Sequence, residues 1–356
     1  MTTRTACALS LLIALYLATP PAVAQAHIWL EGENTASTNY DTSPAGWGTT
    51  EYLSEGLWLS INIPEGEIEQ QVPDEGILLE YEFDAPGAGD YQVWGRVGFE
   101  FVRAPFDWRI DDGPWDTIDP REDLSTDLME VDRWNEVAWV HMGDVRLDEG
   151  GHVLTTRLSR RYRGEGEGRT PERIIYTADA FCLYPGEFRP NGKHEPGSDY
   201  QDADDRRAAE RVIDLEPLPP PGQRARTDLS GLWQIARYDE TWVEDRTGPI
   251  AQTPAADELH WYGIEVPGNR NALRPEMKFC HRYFYRTRVR LPEALAGRRL
   301  LLDVDEINML ATVFVNGQRV AFHDAPVTGF VADITDAAKP GEINEVWVGI
   351  KDTYYA

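Results

Sequence analysis

The first half of the chain alternates apolar and polar residues in short runs. Residues 77–83 (ILLEYEF) and 91–97 (YQVWGRV) each place every second side chain on one face, with a turn-rich stretch between them. Similar runs follow at 106–110, 136–142, 153–158 and 180–184. Alternation at this spacing, with Gly, Pro, Asn and Asp between the runs, predicts an antiparallel β-sandwich.

The second half of the predicted fold, which begins at residue 228, also contains runs that are typical of β-strands. A strand of alternating aromatics and arginines spans 281–292, and a closing strand spans 344–350. Residues 311–315 lead into Asn316 and Gly317, which both tolerate positive φ, so this pair predicts a tight hairpin. We therefore expect a second antiparallel sandwich and an all-β fold with two jelly-roll domains.

The residues between the two halves differ in composition. Over 199–215 the acids come first and the arginines later, as in a short exposed helix whose charges suit its dipole. Residues 218–222 (LPPPG) predict a stiff spacer. The expected segments are a signal at 1–26, a first sandwich at 27–187, an acidic, Pro-rich linker with room for a short helix at 188–227, and a jelly roll at 228–356.

The N-terminus has the features of a secretory signal. Arg4 precedes an apolar run at 6–18, and small residues at 22–24 or 24–26 form a cleavage pattern. That run is too short to span a bilayer, and no later stretch approaches the ~18 apolar residues of a transmembrane helix. We expect an exported chain, secreted or periplasmic, with no membrane association after signal removal.

The composition argues against several classes of binding partner and several kinds of site. A net charge of −27 argues against nucleic acid and anionic membranes, because both need basic patches. After signal removal Cys182 and Cys280 remain, one in each predicted sandwich, so we expect two buried thiols and no disulfide. No zinc-site spacing, nucleophile elbow or phosphate-binding loop is present in the sequence.

Six motifs follow one another along the last 130 or so residues. They are Leu229, Gly231 and Trp233; Trp261 with 266–268; 285–292; 313–317; His323 to Phe330; and 333–335. In this order they resemble the sugar-binding, galactose-binding-like jelly-roll domain at the front of family 2 glycoside hydrolases. The sequence departs from the family at 269–271 and in a longer insertion at 239–258, which leaves the substrate open.

This resemblance implies a larger protein. In the family the jelly roll precedes an immunoglobulin-like domain and a barrel that carries two catalytic glutamates. Asn344-Glu345 copies a dipeptide of that barrel but lies in the closing strand, and a retaining glycosidase needs a second carboxylate about 5 Å away. We therefore expect no catalytic residue in this chain.

Four stretches of the first half, 29–33, 89–97, 147–158 and 178–183, carry a further resemblance. They are similar to stretches of calcium-containing carbohydrate-binding β-sandwich modules. In such modules two N-terminal glutamates and a late aspartate converge on calcium, so the resemblance implies Glu31, Glu33 and Asp179 as ligands. Oxygen ligands suit this hard cation, and exposed strand carboxylates with no metal are the alternative.

Sugar recognition needs an aromatic face beside polar groups. Loop positions make Trp47, Trp58, Trp115 and Trp134 the candidates, whereas the pattern around Trp94 does not decide between core and surface. Arginines at 160, 161 and 163 beside a Gly-rich loop fit either an acidic sugar or a solvated hairpin tip.

Three functions of different class remain. One is the non-catalytic carbohydrate-binding front portion of a secreted family 2-like glycoside hydrolase, with a polysaccharide or oligosaccharide as partner and a catalytic domain downstream in the same polypeptide. The alternative is a stand-alone secreted protein with two glycan-binding modules and no catalysis. A third hypothesis treats both sandwiches as adhesive spacers.

Overall fold

The computed structural model describes residues 26–42, 44–45, 48–100, 104–119, 123, 125–133, 135–164, 166–215, 220, 223–238 and 247–352. All but the last residue of the predicted signal, and most of the Pro-rich spacer, lie outside these ranges. Over the described ranges, no helix is both long enough and apolar enough to span a membrane.

The described residues up to Tyr184 form fourteen strands and one short helix, α1 (Ile68–Gln71). The strands are β1 (Ile28–Glu31), β2 (Ser37–Thr38), β3 (Pro44–Ala45), β4 (Trp58–Ile63), β5 (Ile77–Ala85), β6 (Gly89–Glu100), β7 (Phe106–Ile110), β8 (Asp116–Ile118), β9 (Ser125–Asp132), β10 (Asn135–Leu147), β11 (Gly150–Leu158), β12 (Tyr162–Arg163), β13 (Thr170–Pro171) and β14 (Ile174–Tyr184).

These strands make a sandwich of two facing sheets. The larger sheet has the order β3-β4-β14-β6-β10-β9, with β1 also paired to β14, and the smaller has the order β2-β5-β11-β7-β8. Val93 and Phe181 of the larger sheet belong to the same buried cluster as Tyr81 and Leu154 of the smaller. The alternation in the sequence thus places one face of each sheet in the core.

The remaining described residues form nine further strands and two short helices, α2 (Ala203–Glu210) and α3 (Arg270–Leu273). The strands are β15 (Ile213–Asp214), β16 (Gly231–Arg237), β17 (Tyr262–Val266), β18 (Arg282–Arg290), β19 (Leu301–Ile307), β20 (Leu310–Val315), β21 (Gln318–His323), β22 (Thr328–Asp333) and β23 (Ile343–Lys351).

The second sandwich is built on one large sheet. Its order is β17-β16-β18-β23-β20-β21, and β15 joins β18 as a parallel neighbour. The β19-β22 pair covers one face, where Val313 and Val346 are buried with Leu302. On the other face Phe314 and Trp347 pack with Ile250 and Trp261, which precede β17.

The prediction of antiparallel all-β sandwiches is confirmed. The predicted hairpin is also present, because Asn316 (φ 51°) and Gly317 (φ 79°) connect β20 to β21. Cys182 and Cys280 are both buried and both remain thiols, as expected.

The segment between the sandwiches packs against the second one. Asp202 caps α2 by accepting the backbone N–H groups of Asp204 and Asp205, and Asp205 in turn accepts the N–H of Asp202. Asp205 is buried, where it accepts the Gly263 N–H at 2.6 Å and pairs with Arg274. The acids of this segment therefore make specific contacts and do not only face solvent.

Contacts also join the two sandwiches directly. Asp127 of β9 pairs with Arg237 of β16, and Glu130 of β9 pairs with Lys278 at 2.8 Å. Nearby, the hydroxyl of Tyr262 donates to the side chain of Asn191. The junction is thus polar and charged.

Candidate functional site

The structure describes two of the four candidate tryptophans. Trp47 and Trp134 lie outside the described residues. Trp58 is 0% exposed and packs with Leu53, Met129 and Val131. The prediction that Trp58 contacts sugar was wrong, because it begins strand β4 in the core, and a ring must be open to solvent to stack on a saccharide.

Trp115 is partly exposed and lies immediately before β8, at the outer surface of the smaller sheet. Two arginines lie over its ring. The guanidinium carbon of Arg109 is 4.5 Å from the ring centroid, and that of Arg157 is 4.0 Å away. Both distances fall in the range of cation–π contacts.

Strand register explains why these groups meet. Along β7, Phe106 and Trp108 are buried in the sandwich core, so Asp107 and Arg109 lie on the opposite, outer face. Arg157 of β11 stands directly opposite Asp107 on one side, and Thr117 of β8 stands opposite it on the other.

Asp107 organises this surface. It accepts hydrogen bonds from Thr117 Oγ1 (2.7 Å), Arg157 Nε (3.0 Å) and Ser159 Oγ (3.1 Å), and Arg161 lies 3.7 Å away. Burial would raise the pKa of Asp107, but the hydrogen bonds from Thr117 and Arg157 and the Arg157 charge hold it below its ordinary value. Asp107 is thus an ionised anchor for the arginines around it.

The arginines of this surface outnumber its acceptors. Asp107 serves both Arg157 and Arg161, and no carboxylate among the described residues pairs with Arg109. The Nε atoms of Arg109 and Arg161 are buried and find no acceptor within the described part of the chain. Buried donors of this kind are uncommon in folded proteins.

The carboxylates expected to hold calcium lie at the start and near the end of the first sandwich. Glu31 Oε1 accepts from Trp29 Nε1 at 2.8 Å and from Ser54 Oγ at 2.9 Å. Glu31 Oε2 and Glu33 Oε2 are buried and have no donor within the described residues. Burial raises the pKa of Glu33 to about 7, and the charges of Glu31 and Asp179 add to this rise.

Asp179 has a different environment. Its side chain and that of Arg96 are both 0% exposed and form an ion pair at 2.5 Å. Its other oxygen accepts the Ser54 N–H at 2.9 Å. Burial raises the pKa of Asp179, and the Arg96 charge opposes that rise.

Glu31, Glu33 and Asp179 therefore lie close enough for their charges to interact, but their hydrogen bonding differs. Glu31 and Glu33 each keep one buried oxygen without a donor, whereas both oxygens of Asp179 accept hydrogen bonds. Over the described residues, no group of three or more His, Cys, Asp or Glu side chains is arranged to hold a metal ion.

Sequence reasoning missed Arg109, Arg157 and Arg96. The alternation along β7 was a usable signal, because it puts Asp107 and Arg109 on one face. Of the hairpin arginines, Arg160 pairs with Glu69 and Asp74 and Arg163 pairs with Glu172, whereas Arg161 shares Asp107 with Arg157.

Comparison with known proteins gives partial matches. No protein-family model matches it. The β subunit of DNA-directed RNA polymerase from Synechococcus elongatus is 35% identical over 119 residues, which is 33% of this chain and 9% of that protein. The chain thus spans less than a tenth of the length of the curated relatives that it matches.

Solved structures give partial matches as well. A β-glucuronidase from Ruminococcus gnavus is 25% identical, with a TM-score of 0.30, over 39% of this chain and 24% of that one. The β-glucuronidase of Faecalibacterium prausnitzii is 26% identical, with a TM-score of 0.29, over 38% and 22% of the two chains. A family 2 glycosyl hydrolase from Bacteroides cellulosilyticus is 24% identical, with a TM-score of 0.29, over 35% and 17%.

Proposed function

We propose that this chain is the non-catalytic, carbohydrate-binding front portion of a secreted or periplasmic family 2-like glycoside hydrolase. Its partner is a polysaccharide or oligosaccharide, and a catalytic domain of the same polypeptide carries out hydrolysis. The observation that supports binding most is the surface around Trp115. The indole there is partly exposed beside several N–H donors that suit sugar hydroxyls, and a sugar ring can stack on it once Arg109 or Arg157 moves off its face.

The second sandwich supports the enzyme class through its motifs. Six motifs of the family 2 jelly roll follow one another along residues 229–335, and they lie on an antiparallel sandwich with the expected Asn316-Gly317 hairpin. The alternative is a stand-alone protein with two glycan-binding modules. Sequencing the reading frame beyond codon 356 decides between them, because only the first proposal requires a downstream barrel.

Affinity electrophoresis of the full chain tests the binding proposal. We expect retardation in a gel that contains the recognised polysaccharide, and Trp115→Ala should abolish it without changing the melting temperature. The matched control is Tyr162→Ala, which also removes an aromatic ring under an arginine, since Arg169 lies 4.0 Å from the Tyr162 ring centroid.

Two results would count against the proposal. If the wild-type chain is retarded by no polysaccharide while it is folded, the binding hypothesis fails and the spacer hypothesis gains support. If Trp115→Ala and Tyr162→Ala behave alike, the surface around Trp115 is not where the polysaccharide binds.

We also propose that the first sandwich holds a structural calcium ion at Glu31 and Glu33, close to Asp179. The support is the two buried carboxylate oxygens without donors, because such oxygens suit a hard cation. Bound calcium would supply the positive charge that these oxygens lack. Asp179 fits this role less well, since Arg96 and Ser54 already occupy its oxygens.

Chelation tests the calcium proposal. We expect EDTA to lower the melting temperature of the first sandwich, and Glu33→Gln to remove that response. In EDTA, the wild type should lose stability as pH rises from about 4.5 to about 7, because the folded state holds a proton on Glu33 that the unfolded state releases. Glu33→Gln should flatten this loss. A melting curve that EDTA leaves unchanged would remove these residues from the proposed site.

A further inference from the structure

A histidine connects two turns at one end of the first sandwich. His152 of β11 lies beside the β7–β8 turn (residues 111–115), which ends at Trp115. We propose that His152 is a proton-dependent clamp: as an imidazolium it ties this turn to the β10–β11 turn (residues 148–149), and loss of its proton releases the turn that carries Trp115. Because this is a regulation of the proposed saccharide site, its effect on binding rests on the proposed function.

The first argument is that both ring nitrogens of His152 face acceptors. Nδ1 lies 2.7 Å from Asp111 Oδ2, and Nε2 lies 2.9 Å from the backbone oxygen of Asp148. A carbonyl and a carboxylate can only accept hydrogen bonds, and a neutral imidazole carries only one N–H. A neutral ring would therefore turn a lone pair toward one of the two oxygens, whereas an imidazolium donates to both.

The charged groups around the ring favour the same state. Asp111 and Asp148 act on it from the two turns, and Asp84 lies in the paired strand β5, one position from the residue opposite the ring. Arg146 lies near the end of β10 and pairs with Asp90 at 3.2 Å, so its charge is directed to another acid. The elements that pack against the ring thus present acids to it, and acids stabilise a positive charge.

The ring is also held in place by packing. Its side chain is 13% exposed and packs on Phe83, with 5.7 Å between the two ring centroids. The hydrogen bond to Asp111 raises the pKa of His152 above its ordinary value of 6.5, the bond to the Asp148 carbonyl adds to this rise, and burial opposes it. The folded state therefore binds this proton more tightly than the unfolded chain does.

The second argument is that the β7–β8 turn depends on these contacts. Asp111 begins the turn with φ 50°, a left-handed conformation that few residues other than glycine adopt. Its N–H donates to the backbone oxygen of Val153 at 2.8 Å, and its Oδ1 accepts the Val153 N–H at 2.9 Å. The bond from His152 holds the other carboxylate oxygen. A conformation of this kind persists only when its surroundings fix it, so a lost contact should loosen the turn that leads to Trp115.

The direction of the pH dependence follows from the tighter proton binding in the folded state. The contribution of His152 to stability is complete below about pH 6.5, where both states are protonated, and is lost as pH rises through the folded-state pKa. The order of the β7–β8 turn should fall over the same upper range.

Long-range ¹H–¹⁵N spectra of the histidine side chains in the full chain test the inference. His152→Gln assigns the His152 signals, and we expect their titration midpoint to lie above pH 6.5. Asp111→Asn should lower this midpoint, because asparagine tolerates the same φ and still accepts the Val153 N–H but carries no charge. The matched control is Asp84→Asn, which removes an acid of β5 while both hydrogen bonds of the ring stay intact, so it should lower the midpoint by less.

The indole N–H signal of Trp115, assigned with Trp115→Phe, reports on the turn. We expect it to move with the same midpoint as His152, and to stay in place over that pH range in His152→Gln. A His152 midpoint at or below pH 6.5, equal effects of Asp111→Asn and Asp84→Asn, or a Trp115 signal that does not follow His152 would each overturn the inference.

Saccharide binding separates this inference from the proposed function. If a polysaccharide binds while the midpoint of His152 lies at or below pH 6.5, the clamp fails and the proposed function stands. If no polysaccharide binds but the Trp115 signal follows the titration of His152, the clamp stands and the proposed function fails.

Discussion

The buried ion pair between Arg96 and Asp179 gives the sharpest test of how the first sandwich is held together. Both side chains are fully buried, and Arg96 Nη1 also donates to the Tyr52 carbonyl at 2.9 Å. Asp179→Asn keeps the shape of the side chain and an oxygen that can accept the Ser54 N–H. It removes the negative charge and leaves the Arg96 charge without its counter-ion.

The expected size of the effect follows from this burial. Removing one partner of a buried pair costs about 3–5 kcal/mol, because the remaining charge stays desolvated. For a domain of this size each kcal/mol lowers the melting temperature by about 2–4 °C. We therefore expect Asp179→Asn to lower the unfolding transition of the first sandwich by about 6–20 °C.

Scanning calorimetry of the full chain measures this shift against a matched control. Asp90→Asn breaks the pair with Arg146, whose side chains are 79% and 73% exposed, so it should cost at most about 1 kcal/mol. The double variant Arg96→Met with Asp179→Leu removes both charges and should recover most of the loss. If Asp179→Asn lowers the transition no more than Asp90→Asn does, then Asp179 is neutral in the folded state and the reasoning fails.

Two further predictions concern His194, in the segment between the sandwiches, and the second sandwich. Burial lowers the pKa of His194 to about 4, and the Lys193 charge contributes to this shift. In the pH range from about 6.5 down to 5, only the unfolded state therefore takes up the proton. The free energy of unfolding should fall over that range. His194→Gln should flatten this fall in urea titrations at pH 7.5, 6 and 5, and equal losses in both proteins would contradict it. Asn316→Ala should cost about 2–3 kcal/mol, because Asn316 has positive φ and its side chain bonds Ala337, Asn344 and Glu345. Asn316→Gly keeps the backbone freedom and should cost less, so equal melting temperatures for the two variants would refute this account of the turn.

Local patterns predicted most of the strands. The period-two alternation at 77–83 and 91–97 appears as β5 and β6, and the Asn316-Gly317 pair forms the expected hairpin. These features depend on neighbours in sequence, which is why the sequence alone suffices to predict them.

The sequence-based predictions that were wrong, and the residues that they missed, depend on contacts between residues far apart in sequence. Trp58 follows a Gly turn, which locally predicts a loop, but it packs against Val131 and Val137 across the sheet. Arg96 finds its counter-ion 83 positions later, which no local pattern reveals. Arg109 and Arg157 meet over Trp115 only because β7, β8 and β11 are neighbours in the folded sheet.

The segment 199–215 also carries a local sequence signal for the start of its helix. Asp202 and Asp205 have the three-residue spacing of a capping box, and they begin α2 in this way. The burial of Asp205 against Arg274 depends on the second sandwich, so the sequence of the segment could not indicate it.

Indole N–H spectra of the ¹⁵N-labelled full chain test the central claim, that the first sandwich binds a saccharide at Trp115. Trp115→Phe assigns the signal, and Trp139, which is buried and donates its N–H to Gly192, serves as an internal reference. The account predicts a saturable shift of the Trp115 signal on addition of the oligosaccharide, while the Trp139 signal stays in place. A Trp115 signal that stays fixed at saturating ligand would contradict it.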